Sequence, residues 1–123
     1  MARFDAILSL GDGSLGSSWS TNAASCLDPL GFVSVGAPRG PCLEAVRSGD
    51  HRLPVLRLLV IEHRNGSRDG LEVSLTSAES MAGGAHYTRT VFADVLVSLQ
   101  GCWTSLSVVR RSDVDGPLSR GGR

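Results

Sequence analysis

Few residue types able to do chemistry stand close together in this chain. The one compact motif is Gly11-Asp12-Gly13-Ser14-Leu15-Gly16, which spells G-x-G-x-x-G directly after the apolar run from Phe4 to Leu10. Bare backbone amides at the start of a helix can hold a phosphate, so Gly11, Gly13 and Gly16 are the candidate phosphate- or nucleotide-binding residues. Other features oppose that chemistry. Asp12 inside the loop repels an anion. No acid closes the next apolar stretch, where Val35 runs into Gly36-Ala37. With 123 residues the chain is too short for a full dinucleotide fold, and its fifteen glycines make such a match cheap. Ser14 is not in a nucleophile elbow, because Asp12 stands where glycine is needed.

Metal and nucleophile chemistry find less. Cys42, His51 and His63 are of zinc-ligand type, but no close pair of them anchors a site. Cys102 with a histidine is equally unanchored, and it falls on the apolar face of its expected strand, where a thiol is inert. We therefore expect no catalytic residue, no metal and no cofactor. Cys26, Cys42 and Cys102 are odd in number and widely spaced, which is no disulfide framework and suits three thiols in a reduced cytoplasmic setting. The first ten residues lack the apolar run of a secretion signal, so Asn65-Gly66-Ser67 reads as turn chemistry rather than a glycosylation site.

Charge excludes other classes. The twelve basic residues are all arginine and are matched by twelve acids. A neutral body exerts no long-range pull on nucleic acid or anionic lipid. Missing lysine fits GC-rich codon usage, or an overprinted reading frame. Arg110, Arg111, Arg120 and Arg123 make the end locally basic, which leaves weak nucleic-acid binding through that tail as a second alternative. Trp19, Tyr87, Phe92 and Trp103 do not interleave with arginine as a base-stacking platform would. Arg57, Trp103, Arg110 and Arg111 are the candidate interface residues.

These groups must be positioned by a chain whose second half is the more legible. Residues 53–63 are apolar on both faces and rich in Val and Ile, which predicts a central strand. Asn65-Gly66 then signals a hairpin. A two-residue turn there pairs Val60 with Leu71, Leu58 with Val73, Leu56 with Leu75 and His63 with Arg68. It turns Glu72, Ser74 and Thr76 away from the core, with Arg57 near Glu72. Alternation of Val91, Ala93, Val95, Val97 and Leu99 predicts a second hairpin, turning at Gln100-Gly101 and placing Asp94 opposite Ser107. Between the hairpins, Ser77 to Tyr87 is a loop or a single helical turn stopped by Gly83-Gly84. In the first half, Phe4–Leu10 and Phe32–Val35 read as strands. Ser17–Leu27 reads as a short helix stopped by Asp28-Pro29, and Pro41–Ser48 as another.

The expectation is a mainly β, β-rich α+β fold: an antiparallel sheet of two hairpins, about 53–76 and 90–109, a short N-terminal strand and one or two short helices. Residues 1–109 form one globular domain and 110–123 a flexible tail. Function reads first as a small non-enzymatic interaction or self-assembly module, because apolar sheet faces are left to be hidden by a partner or a second copy. The alternative is a small phosphate- or nucleotide-binding protein using Gly11–Gly16. No membrane role is expected.

Overall fold

The computed structural model describes residues 2–11, 13–38, 41–49, 52–77 and 84–112. Its elements in chain order are β1 (Ala2–Leu10), α1 (Trp19–Leu27), a single 3-10 turn (Asp28–Leu30), β2 (Val33–Ser34), β3 (Cys42–Arg47), β4 (Leu56–Asn65), β5 (Arg68–Ser77), α2 (Gly84–Cys102) and β6 (Leu106–Arg111). The strands form one open sheet in the order β2-β3-β4-β5-β1-β6, and every pairing is antiparallel. The mainly β, α+β class expected from the sequence is the one observed.

The predicted hairpin at 65–66 forms, but one residue later. Asn65 pairs with Arg68, so the turn residues are Gly66 and Ser67, and Val60 faces Val73, Leu58 faces Leu75 and Leu56 faces Ser77. Gly66 has φ +66° and Ser67 has no positive φ, the II′ pattern in which only the first central residue needs that conformation. The shift moves each partner by two residues, so the faces are preserved and Glu72, Ser74 and Thr76 still point away from the core. It also brings Gly70 opposite both His63 and Ser9, where β5 lies against β1 so closely that a Cβ would collide with the Leu8 carbonyl oxygen.

The second predicted hairpin is corrected. Residues 84–102 are a helix, and only residues 106–111 of that stretch form a strand, paired with β1. Asp94 is therefore exposed on α2 rather than opposite Ser107. Thr88, Val91, Phe92, Val95, Leu96 and Leu99 are buried, a spacing of three and four that fits one helical stripe. Val97, which the alternating reading turned inward, is 69% exposed. The helix predicted over Pro41–Ser48 is instead β3, with Leu43 and Ala45 inward and Cys42 and Glu44 outward. Residues 78–83 of the predicted loop or helical turn lie outside the described residues.

Both helices pack on one side of the sheet. Phe92 of α2 stacks on Phe4 of β1 with ring centroids 5.9 Å apart, and the two rings sit among Leu8, Leu58, Val60, Leu71, Val73 and Leu75. Cys26, near the end of α1, is disulfide-bonded to Cys102, the last residue of α2, with Cα atoms 6.4 Å apart. This corrects the expectation of three reduced thiols. Cys102 ends a helix beside α1 instead of sitting within a strand, and Cys42 alone is a free, exposed thiol. A lasting disulfide fits an oxidising environment. No described helix is long and apolar enough to cross a membrane.

Candidate functional site

Alternation along each strand turns one set of side chains under the helices and the other onto the opposite side of the sheet, where no described element lies over them. Reading across from β3 to β6, Cys42, Ile61, Glu72, Ile7 and Arg110 form one row. Glu44, Leu59, Ser74 and Asp5 form the next, and Val46, Arg57, Thr76 and Arg3 the third. Ile7, Val46, Leu59 and Ile61 are each partly exposed. The charges among them are settled locally. Arg3 Nε lies 3.2 Å from Asp5 Oδ1, and Arg57 Nη1 lies 3.9 Å from Glu44 Oε2. Ser74 Oγ donates to Asp5 Oδ1 at 2.5 Å. Both ion pairs are well exposed, so each is worth less than about 1 kcal/mol to the fold.

This face collects two of the four candidate interface residues, Arg57 and Arg110. Arg57 meets Glu44 rather than Glu72, because the shifted hairpin sets it opposite Thr76. Arg110 and Arg111 belong to β6 and project to opposite sides. Arg110 lies across from Ile7, while the Arg111 guanidinium stands 5.9 Å over the Phe92 ring on the helix side. Consecutive arginines on a strand therefore build no shared basic patch, and Ser112 is tied to the sheet by hydrogen bonds with Asp5. Residues 113–123 lie outside the described residues. Trp103 sits in the turn between α2 and β6, half-buried against the core, and belongs to none of these rows.

The glycine loop is elsewhere, on the helix side at the β4–β5 hairpin end. Gly11 donates its amide to Ser105 O at 3.0 Å. Gly13 and Gly16 have φ of +76° and +90°. Between them the Leu15 amide donates to Asp69 Oδ2 at 3.2 Å, and Asp69 Oδ1 meets Arg64 Nε at 3.4 Å. A carboxylate of the chain thus takes the place at Leu15 that a phosphate oxygen would occupy. Beside it, Ser14, Ser17, Trp19, Glu62 and Arg64 line a recess of about 450 Å³ at the start of α1. No sequence signal marked Asp69 or Glu62, since strand register alone brings them to the loop. Among the described residues, no three His, Cys, Asp or Glu side chains converge on a common point. Compared with protein-family models and with curated proteins, the sequence matches none.

Proposed function

We propose that this protein is a non-enzymatic self-assembly module that packs the helix-free face of its sheet against a second copy of itself. One observation carries the reading. Ile7, Val46, Leu59 and Ile61 stand on a sheet face that no described element covers, while both helices lie on the other side. Single-sided antiparallel sheets are stable with a polar outer face. This one interrupts its polar rows with large aliphatic side chains, which is the pattern of a surface meant to be covered.

The charges favour a like partner. Arg3, Arg57 and Arg110 share the face with Asp5, Glu44 and Glu72, so it is neutral and offers both signs. A basic or acidic partner would gain nothing from it, whereas a second copy presents the same mixed surface in an isologous pair. With strands about 4.8 Å apart, the five from β3 to β6 span roughly 25 Å by 20 Å. Two such faces bury on the order of 1,000 Å², near the lower limit for a specific interface. The dimer is therefore concentration-dependent.

Light scattering on the purified chain across a hundredfold dilution tests this. A mass of two chains that falls to one on dilution is expected. Leu59→Arg with Ile61→Glu should give a monomer at every concentration, with a melting temperature close to that of the wild-type chain diluted to monomer. A wild-type chain that stays monomeric at high concentration overturns the proposal.

A further inference from the structure

We infer that the Cys26–Cys102 disulfide is a redox latch. A dithiol reductant opens it, and the segment from Gly16 to Gly31, α1 included, then lifts off the sheet while the rest of the fold stays closed. None of these residues belongs to the outer rows, so this inference is independent of self-assembly.

The segment is poorly made to stay down by itself. α1 has nine residues, whereas an isolated helix needs about 12–15 even in a favourable sequence. Ser20, Thr21, Asn22 and Ser25 are weak helix formers. Ser18 at the N-cap makes no side-chain hydrogen bond, and Asp28 puts a negative charge at the C-cap, where the helix dipole opposes it. Among the described residues, no hydrogen bond or ion pair ties residues 16–31 to another element, apart from the contact of Asn22 O with Cys102 Sγ at 3.6 Å, beside the disulfide itself. Gly16 and Gly31 bracket the segment with φ of +90° and +88°, where the chain can change direction without side-chain strain. Just outside them, Leu15 is fastened by Asp69 and Phe32 is buried.

Burial of Trp19, Ala23 and Leu27 is what remains, and it is flawed. The Trp19 indole N–H is buried with no acceptor. Such a donor costs stability while it stays dry, and water supplies a partner once the ring is exposed. The closed seat thus carries a penalty that opening relieves. The disulfide outweighs it by fixing the end of α1 to the end of α2, whose own buried stripe holds it on the sheet. Both cysteines are partly exposed, so a reagent can reach the bond. A thiolate of the dithiol attacks one sulfur, forms a mixed disulfide and releases the other cysteine as thiolate. Its second thiol then displaces the bound cysteine. The protein gains two electrons and two protons, and the dithiol leaves oxidised to its own disulfide. Lifting α1 takes the cover off the helix side of β3, where Leu43 and Ala45 are buried in the closed form.

The test is hydrogen exchange on the full chain, oxidised and in millimolar dithiothreitol, at neutral pH without denaturant. Titratable thiols should rise from one per chain to three. The amides of residues 22–27, which are bonded within α1, should then exchange about tenfold faster or more. Those of residues 91–99 and of β4 and β5 should change by less than about twofold. In Trp103→Phe, where Trp19 is the single tryptophan, the emission should move to longer wavelength on reduction and return on reoxidation. Cys26→Ser with Cys102→Ser should show the fast exchange permanently and ignore the dithiol, while Cys42→Ser should respond as the wild type does. The inference is overturned by a disulfide that resists the dithiol until denaturant is added, or by exchange at residues 22–27 that changes by less than about twofold on reduction. Acceleration shared equally by α2 and the central strands overturns it too, since the bond would then be a general staple and not a latch on one segment.

Discussion

At Leu15 the chain spends a backbone donor on its own carboxylate. Asp69 is only 13% exposed at its side chain and accepts that amide at 3.2 Å while meeting Arg64 at 3.4 Å. Asp69→Ala strands the Leu15 N–H and should cost about 1–2 kcal/mol in urea unfolding. Asp69→Asn keeps an acceptor and should cost less than half of that, so the difference isolates the hydrogen bond from the charge. Gly70 makes a comparable residue-scale claim. Its Cβ would run into the Leu8 carbonyl, which belongs to backbone and cannot swing aside. Gly70→Ala should therefore lower stability by about 2 kcal/mol or more, read from the urea midpoint at unchanged slope. The glycine motif was visible in the sequence, but Asp69 was not, because 54 residues separate it from Leu15 and no local pattern marks such a contact.

The same limit applied to whole elements. Val91, Val95 and Leu99 satisfy an alternating pattern and a helical one at once, since both repeats return to a position four residues on. With Ala93 and Val97 between them, the alternation favours a strand. Phe92 and Leu96 settle it in the folded chain, because each completes the helical stripe and neither fits the alternation. Burial of that stripe on Phe4 and the sheet outweighs propensities of a few tenths of a kcal/mol per residue. The 53–63 strand was legible for the opposite reason: apolar residues on both sides, a proline near its start and a glycine turn allow only one element. Its register was off by one turn residue, which left every face correct. Val97→Ala and Leu96→Ala test the helix directly. The first should change stability by no more than about 0.5 kcal/mol, toward gain, because Ala is the better helix former at an exposed position. The second should cost about 2–5 kcal/mol by opening a cavity. A strand over 90–99 would reverse the two results.

Over the whole molecule the disulfide and the open face act on opposite sides of one sheet. Cys26–Cys102 clasps the helix layer across 76 residues, and closing a loop of that length stabilises by up to about 4 kcal/mol through the unfolded chain. Reduction should therefore lower the melting temperature while leaving self-assembly intact, because both cysteines belong to the helices and the outer rows lie on the other side of the sheet. Cys42 reports on the other side. It is exposed, it is the single free thiol, and it stands in the outer row beside Ile61. If two copies meet face to face, that thiol is shielded in the dimer and open in the monomer. Labelling the oxidised protein with an aromatic disulfide reagent should modify one thiol per chain. The rate constant should fall severalfold as protein concentration passes through the dimer midpoint. In Leu59→Arg with Ile61→Glu it should stay at the monomer value throughout. A rate independent of concentration in a chain that is dimeric by light scattering would move the interface off this face, onto the β6 edge or the helix layer, and would leave Ile7, Leu59 and Ile61 without a partner.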